Sequence, residues 1–379
     1  MAHERTTTLL AFGQSIWQDD ISRNQLSTGF LQKMVDETGI RGVTSNPTIF
    51  EKAISSGSDY DEQIASLLDA GKSALEIFEA VEVDDIRAAC DVLRSVYDES
   101  NGVDGFVSIE VSPDAARDAD STREQVRRLW NSVDRPNLMV KIPGTVEGIP
   151  VIREMLAEGK NINVTLLFSI DAYKNVAEAY VSALEARHAQ GLPIDRIASV
   201  ASFFVSRVDT MVDKLLDEKA AATTDPELHG AYAGLKGTIA VANAQIAYAA
   251  FLDIFSGPRW EKLAAAGARP QRPLWASTGT KNPAYSDTLY VDTLIGPHTV
   301  NTMPGKTIEA FLDHGTVSRT IDADLQGARD LLTGLADAGI DIKAVTDQLE
   351  EEGIASFVKS FETLLAGVES KRAALASSR

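Results

Sequence analysis

The sequence predicts an α/β protein, a single (β/α)8 TIM barrel with additional helices, and three observations support this fold class. Short apolar runs alternate with longer stretches of helical period, which is the pattern of βα units around a parallel sheet. Eight such runs occur, and eight βα units close a barrel. The chain shows no internal repeat, low-complexity linker or convincing domain boundary, so residues 1–379 are expected to form one barrel domain.

The first four predicted strands are short apolar runs bounded by turns and helices. The first is expected around residues 16–19, and the second, ending in residues 42–47, follows a segment with apolar residues at helical spacing. The third covers residues 106–111, and the helix after it is expected to open at Ser121, since a glutamate three residues on gives a capping-box spacing. The fourth covers residues 138–142 and stops at a Pro-Gly turn.

The remaining four strands and the helices around them complete the predicted barrel. The strands are expected at residues 162–168, 197–204, 273–277 and 289–294. Residues 208–270 are too long for an ordinary crossover, so they are predicted to form an all-helical insertion. The tail from about residue 322 to 379 reads as two further helices separated near residues 339–341.

Charge and cysteine content exclude several classes of function. The chain carries 36 basic and 55 acidic residues, a net charge of −19, which disfavours nucleic acid and anionic membranes as partners. Cys90 is the one cysteine and lies in an amphipathic helical pattern, which excludes an internal disulfide and a multi-thiolate metal site. The five histidines have no metal-ligand spacing, and no signal peptide or apolar run of about 18 residues is evident. A cytoplasmic protein is expected.

Polar residues stand at or just before the ends of seven different predicted strands. Because the carboxyl ends of barrel strands converge on one mouth, where active sites are built, we expect these side chains to form one site. Seven such residues, with both acids and a lysine among them, are hard to explain as solvated loop edges. They are Asp19, Asn46, Glu110, Lys141, Thr165, Ser202 and Ser277.

Lys141 is the most informative of these residues because it lies inside an apolar strand. A charged amine in such a position is costly unless it is paired, deprotonated or used for chemistry. Desolvation favours the neutral amine, which is the nucleophile that forms a Schiff base with a ketone. Lys141 is therefore the first candidate for a covalent catalyst; a strand-end lysine in a salt bridge is the alternative.

The chain resembles the transaldolase family of class I aldolase barrels, in its longer bacterial form. Two motifs carry most of the resemblance: GVTSNPTIF at residues 42–50 and LMVKIPGTVEGI at residues 138–149. Three further blocks follow in family order, VSIEV at 107–111, NVTLLFS at 163–169 and SFFVSR at 202–207. The resemblance implies a TIM barrel and transfer of a dihydroxyacetone unit between sugar phosphates, in the non-oxidative pentose phosphate pathway.

The resemblance also assigns roles to the catalytic candidates. Lys141 would form an imine with the C2 carbonyl of a ketose phosphate, and the iminium would act as the electron sink, so no metal or organic cofactor is implied. Glu110, with Thr165, would move protons through an ordered water, although Glu110 could instead be a paired structural carboxylate. Asp19 would take the proton of the C4 hydroxyl. Asp20 could take that part, or either aspartate could cap the next helix.

Binding roles follow from the same resemblance. Asn46, Asn163 and Ser202 would hydrogen-bond the dihydroxyacetone part, although Asn46 could be only a turn former. The phosphate would be held by Arg207, with Ser277 and Lys281 at a second contact; shorter family members carry arginine at the last position, so Lys281 could be a solvated loop residue instead.

Two competing functions remain at this stage. A fructose-6-phosphate aldolase, a lyase on the same barrel, has glutamine and tyrosine where this chain has Glu110 and Phe204. Phe204 therefore favours transfer. A catalytically dead sugar-phosphate sensor would be expected to lose Lys141 or Glu110, and both are present. The sequence leaves the oligomeric state, monomer or homodimer, open.

Overall fold

Eight parallel strands form a closed barrel in the computed structural model, which describes residues 2–55 and 57–377. Each strand pairs with its neighbours in chain order, and β1 closes the ring against β8, as the sequence predicts. The strands are β1 Gln14–Gln18, β2 Gly42–Val43, β3 Phe106–Glu110, β4 Leu138–Pro143, β5 Ile162–Leu167, β6 Ser199–Phe204, β7 Arg272–Ala276 and β8 Thr299–Met303.

The predicted position of the eighth strand is wrong. Residues 289–292 form a helical turn, with Tyr290 and Val291 buried on it, and the strand is Thr299–Met303 instead. The strand was missed because its sequence, TVNTM, is largely polar. Its Asn301 is fully buried and donates a hydrogen bond to the carbonyl of Tyr290, 3.2 Å away. The burial of this polar residue therefore depends on a distant partner, which a local sequence pattern cannot indicate.

Helices surround the barrel and extend beyond it. Two predictions about helices need correction. The helix after β3 begins at Ala119 and is capped by Asp118 rather than opening at Ser121. The segment of helical spacing before β2 does not form one helix, because it is broken into short pieces at Gly29, whose φ is +72°. The α-helices are α1 Glu4–Ala11, α2 Arg23–Ser27, α3 Phe30–Lys33, α4 Pro47–Ser55, α5 Asp61–Asp69, α6 Ala74–Val92, α7 Arg94–Glu99, α8 Ala119–Val133, α9 Gly148–Ala157, α10 Ile170–Ala189, α11 Ser206–Ala221, α12 Pro226–Leu235, α13 Ile239–Ile254, α14 Gly257–Ala265, α15 Leu289–Asp292, α16 Gly305–His314, α17 Leu325–Asp337 and α18 Ile342–Ser377. A π-helical turn, Met34–Thr38, and a 3-10 turn, Pro113–Arg117, complete them.

The two predicted helical regions are confirmed. The four helices α11 to α14 fill the segment around residues 208–270, and α17 and α18 form the C-terminal region. The 36-residue helix α18 packs against α4, α5 and α6, and it contributes side chains to the mouth of the barrel. No single helix in the described part of the chain is long and apolar enough to cross a membrane, and one bent pair, α12 with α13, meets that test only jointly.

A small apolar cluster fills the inside of the barrel. Trp17, Phe106, Met139, Val200 and Val300 are each at most 2% exposed and contact one another within this cluster, which we call the barrel plug. The plug fixes local sequence: a Cβ at position 42 would lie 2.5 Å from the Trp17 ring, so β2 needs glycine there. The larger core lies between the strands and the surrounding helices, and it includes the buried Cys90.

Candidate active site

A cavity of about 370 Å³ lies at the carboxyl ends of the strands, on one side of the barrel plug. All seven strand-end residues that the sequence singles out line this cavity, together with Phe204, Arg207 and Lys281. Asn163 is the exception among the predicted site residues, since it lies beneath the cavity floor and reaches it through a hydrogen bond. Parallel strands alone bring these residues together, because they are spread over more than 250 positions of the chain.

Lys141 and Glu110 form a buried ion pair at the bottom of the cavity. They are register partners on β3 and β4, so their side chains leave adjacent strands side by side. The Lys141 Nζ lies 3.1 Å from Glu110 Oε2 and donates a hydrogen bond to the Ser45 carbonyl at 3.0 Å. The two side chains are 9% and 4% exposed. Burial raises the pKa of Glu110, and the neighbouring ammonium opposes that rise, which makes this carboxylate a ready proton acceptor.

The two consecutive aspartates have different surroundings. The Oδ1 of Asp19 accepts a hydrogen bond from the Thr44 hydroxyl at 2.7 Å, and Asp19 lines the cavity. Asp20 is turned to the following segment, where its Oδ2 accepts a bond from Gln25 Nε2 at 2.8 Å. The helix that follows, α2, is capped by Ser22, so neither Asp19 nor Asp20 caps it. Of the two aspartates, only Asp19 lines the cavity, so it is the one placed to act there as a base.

A chain of polar side chains supports the floor of the cavity. The Ser202 hydroxyl donates to Asn163 Oδ1 at 2.7 Å, and Asn163 Nδ2 donates to the Ser108 hydroxyl at 3.0 Å. All three side chains are at most 2% exposed, so these hydrogen bonds take the place of bonds that their polar groups would otherwise make to water. Asn46 lines the cavity, and its Oδ1 also accepts the Ile49 backbone N–H at the start of α4.

Two cationic side chains, Arg207 and Lys281, also line the cavity. The Arg207 guanidinium carbon lies 5.2 Å from the centre of the Phe204 ring, a cation–π arrangement that holds the arginine in place. Ser277 contacts the Ser206 hydroxyl at 3.0 Å, where the β7 end meets α11. Lys281 stands at the exposed rim, where partial desolvation and the charge of Arg207 lower its pKa. Two neighbouring cations that line one cavity form a cradle suited to an anion.

The backbone is strained at two residues of the cavity wall. Leu166 and Ser277 have φ values of +59° and +56°, in the left-handed region that residues other than glycine rarely adopt. Leu166 sits in an irregularity of the β5–β6 register, between Val164 and Leu167. Irregular strand ends of this kind redirect side chains beside active sites, and here they shape the wall next to Thr165 and Arg207.

The C-terminal helix supplies cavity residues that the sequence did not reveal. Gly353, Ser356, Phe357 and Ser360 of α18 line the cavity, and Ser360 accepts a hydrogen bond from the Thr48 hydroxyl at 2.9 Å. Helix α18 therefore covers the mouth rather than packing on the side of the barrel. Nothing in the local pattern of an amphipathic helix indicates what it covers, so the sequence held no signal for these residues.

A second buried carboxyl lies behind Glu110. Glu82 on α6 is 3% exposed, and it shares with Glu110 a separate cavity of about 380 Å³ between α6, α8 and α18. Within residues 2–55 and 57–377 its side chain makes no hydrogen bond or ion pair. Burial, followed by the negative charge of Glu110, raises the pKa of Glu82 well above its ordinary value.

Comparison with known proteins gives a consistent family assignment. Residues 16–368 match the family model described as transaldolase/fructose-6-phosphate aldolase. The chain is 48% identical to a transaldolase of Trichodesmium erythraeum over 361 residues, covering 95% of each chain. It is also 48% identical to a transaldolase of Thermobifida fusca, covering 96% of each, and 47% identical to one of Mycobacterium bovis, covering 94% of each.

Proposed function

The chain belongs to the transaldolase/fructose-6-phosphate aldolase family, and we propose that within it the chain acts as a transaldolase. It moves a dihydroxyacetone unit from sedoheptulose 7-phosphate or fructose 6-phosphate to glyceraldehyde 3-phosphate or erythrose 4-phosphate, in the non-oxidative pentose phosphate pathway. One observation carries the proposal: a buried lysine lies 3.1 Å from a carboxylate in a cavity that two cationic side chains also line. That arrangement suits an electrophilic carbonyl and a phosphate on one substrate.

The first step forms the Schiff base on Lys141. Glu110 takes the proton of the ammonium, and the freed amine attacks the C2 carbonyl of the ketose. The carbinolamine oxygen then leaves as water, with its proton delivered from Glu110 through a water held by Thr165. The raised pKa of Glu110 suits a group that both accepts and returns a proton. The product is an iminium, which withdraws electrons from the neighbouring carbon.

The second step breaks the C3–C4 bond. Asp19 removes the proton of the C4 hydroxyl, the C4 oxygen forms a carbonyl, and the bonding electrons pass into the iminium to give an enamine. The aldose phosphate leaves, and Asn46 and Ser202 hold the three-carbon enamine through hydrogen bonds to its hydroxyls, with Asn163 behind Ser202. A second aldehyde then accepts the enamine by the reverse of these steps.

The phosphate end fixes the substrate in register. Arg207, held by the Phe204 ring, offers a planar pair of donors to the phosphate, and Ser277 and Lys281 complete the cradle. The two negative charges of a phosphate dianion would balance the positive charges of Arg207 and Lys281. Sugar phosphates thus bind an acidic protein because this cradle acts against the overall charge.

Borohydride trapping with fructose 6-phosphate tests the proposal. Reduction should leave a three-carbon adduct on the peptide that contains Lys141, read by intact mass and peptide mapping. Lys141→Met should abolish the adduct, while Lys214→Met, which alters an exposed lysine on α11, should not. Folded protein that forms no adduct would contradict the Schiff-base mechanism and favour a sugar-phosphate sensor. An adduct elsewhere would keep the chemistry and refute the position.

A lyase of the same family is the second candidate, and Phe204 argues against it. The ring packs on Phe168 at 5.2 Å and under Arg207, so it presents no hydroxyl to the cavity. Without a hydroxyl to position a protonating water, the enamine persists until an aldehyde arrives. Titrating an acceptor against fructose 6-phosphate turnover separates the two activities, because a transferase turns over only when acceptor is present. Free dihydroxyacetone at a comparable rate without acceptor would favour the lyase.

The setting of the enzyme is also proposed. Residues 1–379 are taken to work as one domain in the cytoplasm, without nucleic acid, membrane or cofactor. A monomer and a homodimer are both compatible with the site, because every group in the mechanism comes from one chain.

A further inference from the structure

A separate cavity of about 210 Å³ lies at the opposite, amino-terminal end of the barrel. Its apolar wall is the outer side of the barrel plug, formed by Trp17, Phe106, Met139 and Val200, each at most 2% exposed, with Ala198 beside them. The plug separates this cavity from Lys141, so the reaction does not use it. We call it the lower cavity.

Two arginines, Arg269 and Arg272, line the lower cavity, and one nitrogen of Arg269 has no hydrogen-bond partner among the described residues. Arg272 is fully engaged, since it bonds Asp104, Ser15 and the Thr299 carbonyl. Arg269 donates through Nη2 to the Asn101 carbonyl at 2.7 Å. Its Nη1 is buried and has no hydrogen-bond partner among the residues that the structure describes. Leaving a buried charged donor unpaired is costly, so this atom marks a place where an acceptor is missing.

A second guanidinium converges on the same point. Arg196 Nη1 donates to the Asn101 carbonyl at 2.9 Å, so two arginines share one neutral acceptor. A Cβ placed on Gly102, which lines the lower cavity, would lie 3.0 Å from Arg196 Nη1 and 3.3 Å from Arg269 Nη1. The two Nη1 atoms therefore lie close together beside Gly102, and of the two arginines only Arg269 lines the lower cavity. Burial and the charge of Arg196 lower the pKa of Arg269, as expected for adjacent cations without a bridging anion.

Few carboxylates are available to neutralise these arginines. Asp104 is shared by Arg272 and Arg41, and it also accepts the Trp17 indole N–H at 2.8 Å. Asp195 reaches Arg196 only at 4.0 Å, on the exposed surface. A protein of net charge −19 thus maintains a locally cationic entrance to an apolar cavity. A ligand that matches both features carries one anionic group on an apolar body.

We propose that the lower cavity binds a small carboxylate with an aromatic or branched apolar body. The carboxylate accepts a hydrogen bond from Arg269 Nη1, and the neighbouring Arg196 guanidinium, whose two Nη atoms are bonded to Asn101, adds positive charge nearby. The apolar body rests on Trp17, Met139 and Val200. The cavity volume admits a single ring with a short side chain. This site is independent of the proposed transaldolase reaction, because it lies on the other side of the barrel plug.

Phenylacetate is the probe for this proposal, with phenylacetamide as the matched neutral compound and inorganic phosphate as an anion without an apolar body. Isothermal titration of the full chain should show one site for phenylacetate per chain, with binding at least tenfold weaker for the amide and for phosphate. Because Trp17 lines the lower cavity, its fluorescence should change on the same titration.

Three variants locate the binding. Arg269→Gln should weaken phenylacetate at least tenfold by removing the charge, and Ala198→Leu should do so by filling the cavity while the backbone bond of residue 198 to Asn161 Oδ1 remains. Arg94→Gln, which alters an exposed arginine on α7, should bind as the unmodified protein does. Since two independent changes are used, a folding defect in one leaves the other decisive.

Any of three results overturns the proposal. The first is the absence of saturable phenylacetate binding with a Kd of about 1 mM or tighter. The second is equal binding of the acid and the amide. The third is loss of binding in Arg207→Gln with retention in Arg269→Gln. The last result would place phenylacetate in the catalytic phosphate cradle.

Discussion

The ion pair between Glu110 and Lys141 allows a sharp test, because a second buried glutamate stands directly behind it. Glu110→Gln removes the carboxylate partner of Lys141 and changes little in side-chain volume. Glu82→Gln makes the same chemical change in the separate cavity that Glu82 shares with Glu110, at a carboxyl that has no ion pair among the described residues. The two variants therefore separate the loss of the pair from the general cost of altering a buried glutamate.

The size of the effect follows from the geometry. Two unit charges 3.1 Å apart attract by ~5 kcal/mol at an effective dielectric constant of about 20. Desolvation of both groups offsets much of this attraction, but removing one partner leaves a buried ammonium whose remaining acceptor is the Ser45 carbonyl. Breaking a buried pair in this way costs about 3–5 kcal/mol unless the amine loses its proton. Proton transfer in the reaction should slow by about 10²- to 10⁴-fold.

Urea unfolding and the rate of the borohydride-trapped adduct measure the two effects. Glu110→Gln should lower both the unfolding free energy and the trapping rate. Glu82→Gln should change the unfolding free energy by less than about 1 kcal/mol, because burial already raises the pKa of this carboxyl and disfavours its charged form. Adding Lys141→Met to Glu110→Gln should restore stability without restoring activity, since the unpaired charge is gone.

Either of two results would contradict these expectations. If Glu82→Gln were as damaging to trapping as Glu110→Gln, the proton-transfer role would not belong to the residue paired with Lys141. If Glu110→Gln kept the stability and the trapping rate of the unmodified protein, the ion pair would be irrelevant to both.

Three further predictions follow from the same cavity. Lys281 loses its charge as the pH rises through its lowered pKa, so the KM for fructose 6-phosphate should rise in that pH range. Lys281→Arg stays charged and should flatten the rise in a pH series. An identical pH profile in the variant would remove Lys281 from the phosphate cradle. Gly353→Ala puts a Cβ 3.1 Å from Leu166 and should raise KM by displacing α18. The control Gly230→Ala, in open space on α12, should instead stabilise the fold by about 0.8–1.0 kcal/mol in urea unfolding. Asp19→Asn should still give the imine with fructose 6-phosphate but lower kcat by about 10²- to 10⁴-fold, and a normal kcat would exclude it as the base.

Much of this protein was determined by short-range pattern. Seven of the eight strands and the two extra helical regions are predicted from apolar runs and helical period, because strands buried on both faces are continuously apolar. The family motifs then named the residues whose side chains line the mouth of the barrel. The eighth strand was misplaced because it is polar, and its burial depends on long-range hydrogen bonds such as that of Asn301 to the Tyr290 carbonyl.

Only the tertiary structure decided how these residues meet. The register of β3 against β4 brings the Glu110 carboxylate to 3.1 Å from the Lys141 amine, and the turn after β1 directs Asp19 into the cavity while Asp20 faces Gln25. Helix α18 reaches the mouth from the far end of the chain, which no local pattern can reveal. Sequence fixes propensities over a few residues, whereas a site depends on distances between side chains that are far apart along the chain, and only packing sets those distances.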